Sequence, residues 1–138
     1  MKGFASLTQG GKDPQDTLDG IYDYIIGNIS YDYDKAAEVS AGRLNGYLPV
    51  IDETYGSGKG ICFDYSSLFA AGLRRFGIPA KLEMGYCSEI NGYHAWNEVF
   101  SDGNWFKIDT TYDAAAKKYK MQFSRAKKDS DYSVVKEY

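Results

Sequence analysis

Apolar residues recur at a helical period early in the chain. Leu18, Ile21, Tyr22, Ile25, Ile26 and Ile29 form one stripe, spaced three and four apart. Asp13-Pro14 precedes it, an N-cap followed by a residue suited to the first helical position, and Asp16 complements the positive end of the dipole. Gly27-Asn28 ends the stripe, and Gly10-Gly11-Lys12 closes a flexible lead-in over residues 1–12. This helix predicts core packing only. A second stripe, Ile61, Tyr65, Leu68, Phe69, Gly72, Leu73 and Phe76, predicts a helix over 61–76. Gly77 sits where a left-handed residue closes a helix, Ile78 can make the following apolar contact, and Pro79 forbids continuation. Gly72 is a weaker helix former than Ala, so a close neighbour is expected against its backbone.

Between these helices Tyr31-Asp32-Tyr33 reads as extended, Asp34 as the cap of a short helix through Val39, and 40–60 as a glycine-rich loop. A loop that long in a small domain is usually functional. Beyond Pro79 the period switches to two. Residues 81–86 alternate, with Leu82, Met84 and Tyr86 on one side and Lys81 and Glu83 on the other. A turn is expected over 88–92, and strands over 93–100 and 105–111, joined by the hairpin signal Ser101-Asp102-Gly103-Asn104. The Lys-rich tail holds candidate short strands near 119–123 and 132–136.

Length and composition narrow the classes. The 138 residues make one domain over 1–138, and a 43% hydrophobic fraction supplies a core and argues against disorder. A net charge of −3 argues against a nucleic-acid module, whose footprint would be basic. No apolar run approaches the ~18 residues of a membrane-spanning helix. Met1-Lys2-Gly3-Phe4-Ala5 lacks the apolar stretch of a signal peptide. One His and two Cys exclude any mechanism that needs several histidines.

Those scarce residues are well placed. Cys62 opens the second helix, where unpaired N–H groups favour a thiolate and can also hold an oxyanion. A buried core cysteine is the plain alternative. His94 shifts the balance, because the hairpin register can be extended. With Ser101 opposite Asn104, Trp96 falls opposite Asp109, and Asp109 becomes the diagonal neighbour of His94 on one face. A slip of one residue would destroy the pairing. A carboxylate beside an imidazole orients it and favours its charged form, so Cys62, His94 and Asp109 read as a nucleophilic triad.

Two other motifs fail. A phosphate loop ending in Gly58-Lys59-Gly60 needs Gly at 53 and Ser or Thr at 60, where Glu53 and Gly60 stand. Gly56-Ser57-Gly58 lacks the first glycine of a nucleophile elbow, having Tyr55 there. A zinc site of Cys62, Cys87, His94 and Asp109 fits no compact ligand spacing, and a Cys62–Cys87 disulfide would abolish the nucleophile. No metal or other cofactor is expected, and Cys87 is expected to be a free, partly buried thiol at a strand end.

Gly60-Ile61-Cys62-Phe63-Asp64-Tyr65-Ser66, Gly77-Ile78-Pro79-Ala80, His94-Ala95-Trp96-Asn97-Glu98-Val99 and Trp105-Phe106-Lys107-Ile108-Asp109-Thr110-Thr111 stand in one order. Together these blocks resemble the core of the transglutaminase-like superfamily, in its compact bacterial form. The resemblance implies an α+β, papain-like fold, with the cysteine at the N-terminus of a central helix packed on an antiparallel sheet. It carries over Cys62 as nucleophile, His94 as base and Asp109 as orienting acid. It also implies a second oxyanion donor upstream, for which Tyr31, Tyr47 and Tyr55 are candidates and Tyr31 is preferred.

The expected activity is acyl transfer or hydrolysis at amide bonds of a peptide or protein substrate, through an acyl-thioester. The alternative is a binding module for peptide or glycan that keeps the fold without turnover. Trp96 and Trp105 are expected to pack around the hairpin, Asp64 to hold the helix start, and Asn97 and Glu98 to bond structurally. A monomer is expected. An extracellular or cell-surface location is favoured, with any signal peptide absent from this chain.

Overall fold

A computed structural model describes residues 13–44 and 46–138. The expected lead-in over 1–12 lies outside them. Helix α1 spans Pro14–Asn28, with the Asp13 side chain accepting from Gln15 N at 3.0 Å. Its stripe buries Leu18, Ile21, Tyr22, Ile25 and Ile26 against α4, Cys62–Arg75, which offers Tyr65, Leu68, Phe69 and Leu73. α4 ends as its sequence requires. Gly77 takes φ 79°, its N–H donates to Arg74 O at 3.1 Å, and Ile78 N–H donates to Leu73 O at 3.0 Å. Gly72 is buried within it.

The chain between these helices departs from expectation in three places. Strand β1, Ser30–Tyr31, runs parallel to β2, Lys59–Gly60, and the extended segment stops there. The cap of α2, Tyr33–Ser40, is Asp32 rather than Asp34: its side chain accepts from Lys35 N at 3.0 Å, leaving Asp34 in the first turn. Within the expected 40–60 loop lies α3, Ile51–Ser57. It has no side-chain cap and buries only Thr54, so neither start signal nor stripe announces it.

Strands β3, Ala80–Cys87, β4, Ile90–Ser101, β5, Asn104–Ile108, and β6, Tyr132–Glu137, form an antiparallel sheet in the order β5-β4-β3-β6. The β4–β5 hairpin turns on Asp102 at φ 53° and Gly103 at φ 80°, so Ser101 faces Asn104 and Asn97 faces Ile108. The β3–β4 connection is tighter than expected, and Gly92 lies inside β4. The strand expected to reach Thr111 ends at Ile108 instead.

Asp109 then caps helix α5, Thr110–Lys118. The β-favouring pair Thr110-Thr111 hides this switch, and the apolar stripe of α5 is little more than Ala114 and Ala116. Residues 119–123 form no strand. The other tail candidate does, as β6.

Alternation does not separate inside from outside in β3. Glu83 is 1% exposed, accepting from Trp96 Nε1 and from Lys107 Nζ, each at 2.9 Å. Lys107 also reaches Glu98 Oε2 at 3.3 Å, and burial raises the Glu98 carboxyl, helped by Glu83 beside it. Asn97 ties β4 to α4 and β3, donating to Ser66 O at 3.0 Å and Lys81 O at 3.1 Å. Asn97 and Glu98 thus bond structurally, as expected. Trp105 packs on Phe100 at the hairpin, with ring centroids 5.4 Å apart.

β6 joins β3 through an irregularity: Met84 faces Lys136 while Gly85 faces Val134. There a Cβ on Gly85 would lie 1.9 Å from Ser133 O. Gly85→Ala should therefore destabilise the protein by about 1–3 kcal/mol or more, as overpacking does. Thermal unfolding measures the loss. Hydrogen exchange should show protection falling first in β6, while α4 keeps its own.

Candidate active site

Two segments converge ahead of Cys62, and glycine lets them. A Cβ on Gly60 would sit 2.6 Å from Asp64 Cβ. Asp64, 0% exposed, accepts from Ile61 N at 2.9 Å and from the Tyr47 hydroxyl at 2.5 Å, with Lys35 Nζ 3.2 Å away. It holds the helix start, as expected. Cys62 is thereby presented half-buried as the first residue of α4, where the first backbone N–H groups have no partner within the helix.

From the sheet side comes His94, 4% exposed, whose Nε2 lies 2.7 Å from Asp109 Oδ2. The hairpin register predicted this pair, although Asp109 belongs to a helix cap rather than to a strand. Nδ1 remains as the ring nitrogen for the thiol. Burial works against a charged imidazole, but the hydrogen bonds it donates to Asp109 and Cys62, with their charges, raise His94 to about 10. The structure thus brings Cys62, His94 and Asp109 together.

Asp109 is held from three sides. Oδ2 accepts from His94 and from the Tyr132 hydroxyl at 3.0 Å, and Oδ1 accepts from Tyr112 N at 3.1 Å. The Tyr132 ring packs on Trp96 at 4.7 Å between centroids, and Trp96 lies 6.0 Å from the His94 ring. Sequence reasoning missed Tyr132. A tail strand was visible, but nothing in its pattern says that it pairs with β3 and delivers a hydroxyl to Asp109. Asp113, one turn further along α5, is also fully buried, accepting from Tyr22 OH at 2.6 Å and from Lys127. Burial pushes its carboxyl up, against the pull of those two donors.

Of the three tyrosines considered upstream, Tyr31 lines the same groove as Cys62 and His94, carried there by the β1–β2 ladder. Burial raises its hydroxyl, followed by the charge of Cys62. Tyr47 is committed to Asp64, and Tyr55 stacks on Tyr24 at 5.4 Å. Cys87, buried at the end of β3, is a free thiol, as is Cys62. Among the described residues no group of His, Cys, Asp and Glu could hold a metal ion. No helix there is long and apolar enough to cross a membrane.

Residues 4–110 match the family described as the transglutaminase-like superfamily. UPF0252 protein MJ1282 of Methanocaldococcus jannaschii is 33% identical over 105 residues, which cover 72% of this chain and 30% of that protein. Among solved structures, a candidate cysteine protease from Cytophaga hutchinsonii superposes with a TM-score of 0.63 at 26% identity, covering 80% of this chain and 36% of that one. A structure described as a TGase superposes with a TM-score of 0.62 at 19% identity, over 96% of this chain and 34% of that one, a likeness of fold. The chain spans about a third of the length of each. The α+β architecture is that of transglutaminase-like and papain-like proteins.

Because the chain holds one histidine, its ring can be followed by nitrogen NMR without assignment. The imidazole should stay doubly protonated through neutral pH and titrate near 10. Its folded value lies above the unfolded one, so its stabilisation is fully present below about 6.5 and is lost as pH rises through about 10. Asp109→Asn should drop the midpoint by more than a unit, since burial then acts with less opposition. Tyr132→Phe should raise it, by removing a donor that competes for Asp109 Oδ2.

Proposed function

The chain belongs to the transglutaminase-like superfamily, and from that membership we propose that it is a cysteine enzyme acting on amide bonds of peptides or proteins through an acyl-thioester at Cys62. The observation that carries this reading is the buried His94–Asp109 pair at 2.7 Å, set beside a thiol on a helix N-terminus. The thiolate of Cys62 attacks the amide carbonyl, the C–S bond forms, and the π electron pair moves to oxygen. That oxyanion is received by the Cys62 backbone N–H and the Tyr31 hydroxyl. The C–N bond then breaks, and the leaving amine takes its proton from the His94 imidazolium. Water or a second amine, losing a proton to neutral His94, attacks the thioester, and the C–S bond breaks to release the acyl group. Asp109 holds the imidazole orientation and balances its charge throughout.

Water as acceptor makes the chain an amidase or protease; an amine makes it a transferase. Both outcomes use the same three residues and differ only in what reaches the thioester. The similarity to a candidate cysteine protease supports hydrolysis, and the family supports either.

Cys87 is a built-in control for the thiol chemistry, being free but buried. Iodoacetamide at neutral pH should alkylate Cys62 far faster than Cys87 or an unfolded-peptide thiol, as read by peptide mass mapping. His94→Ala should slow this by about 10²-fold, the scale of a lost general base. Labelling of Cys62 no faster than a free peptide thiol would leave a peptide- or glycan-binding module as the reading. Incubating a Gln-containing peptide with a labelled amine then separates amine incorporation from deamidation or cleavage.

A further inference from the structure

We infer that the groove beside Cys62 is the acyl-donor subsite of the enzyme proposed above, shaped for a large apolar side chain on a neutral or acidic peptide. The inference rests on that reading of Cys62. The groove encloses about 700 Å³ and is continuous with Cys62 and His94. That lies within the ~300–1,000 Å³ of sites that enclose a small ligand, ample for a bulky side chain. It lies between the end of α1 and α5, lined there by Ile26 and Ile29 and by the small residues Ala114 and Ala115. The alanines create the space: larger side chains on α5 would fill it.

Polarity is distributed unevenly. Ile26, Ile29 and Ala114 are buried in the floor with His94, whereas the acidic and lysine lining residues, Glu89, Lys117 and Lys118, are all exposed at the rim. A charged side chain entering this space would shed water against the aliphatic floor, and the lining hydroxyls of Tyr31, Tyr33, Tyr65, Tyr112 and Tyr119 offer it no full counter-charge. An apolar side chain loses nothing and buries its surface. Two cations against one carboxylate make the mouth positive, and Lys117 Nζ lies over Gly27, 3.4 Å from where a Cβ would stand. Neutral or acidic flanking residues fit that rim, and basic ones are disfavoured.

The test uses the intact chain and peptidyl chloromethyl ketones that differ only in one side chain, Phe, Leu, Gly or Lys, at either of the two residues on the acyl side. Capture at Cys62 forms an S–C bond with loss of chloride and is read by intact mass. Each rate is divided by the same protein's iodoacetamide rate, which needs no groove. Phe or Leu probes should react at least about tenfold faster than Gly or Lys probes, the scale of apolar-pocket discrimination. Ala115→Trp, at an exposed position on α5 where a ring lies across the groove, should erase that advantage. Equal rates in the natural chain, or an advantage that survives Ala115→Trp, would overturn the inference. Failure of iodoacetamide to select Cys62 over Cys87 would instead remove the enzymatic reading beneath it.

Discussion

One carboxylate organises this molecule. Asp109 accepts from the imidazole of β4, the backbone N–H that starts α5 and the hydroxyl at the head of β6. A buried carboxylate is costly unless its oxygens are occupied, and three donors from three elements occupy these. The consequence is geometric as well as energetic. The hairpin, the following helix and the tail strand cannot shift independently without leaving a buried anion short of a partner. His94 inherits that rigidity, and its raised proton affinity is the electrostatic face of the same contact.

A second buried carboxylate does the matching work at the other end of the site. Asp64 gathers the start of α4, the Tyr47 segment and Lys35 of α2 around the approach to Cys62. The thiol and the imidazole therefore each rest on a carboxylate fully removed from water, Asp64 in the first turn of α4 and Asp109 at the cap of α5. Asn97 crosses from β4 to the backbone of α4 and of β3. The apolar core of α1 and α4 supplies the stabilisation that lets polar groups be buried at the site.

The sheet adds a third polar cluster, Glu83 with Trp96 and Lys107, that explains why period-two patterning misjudged β3. As a central strand, paired with β4 at one edge and β6 at the other, β3 buries a glutamate that alternation alone would leave in water. The same cluster steadies Trp96, which packs between His94 and Tyr132. Tyr132 lies past residues 4–110, the stretch that matches the family.

Sequence alone determined whatever depends on neighbours along the chain. Local spacing reads the α1 and α4 stripes, the Gly77 stop and the Asp102-Gly103 turn, because each is set by backbone sterics and side-chain period within a few residues. The His94–Asp109 pair was legible for the same reason: a tight hairpin turns pairing into counting. Tertiary structure decided the rest. The short α3, the early end of β5 and the identity of α5 depend on weak local signals that packing overrides. Tyr132 reaches Asp109, and Tyr31 reaches the groove, across sequence separations that no local period encodes. Those contacts form only when the folded chain makes burying them cheaper than leaving them in water.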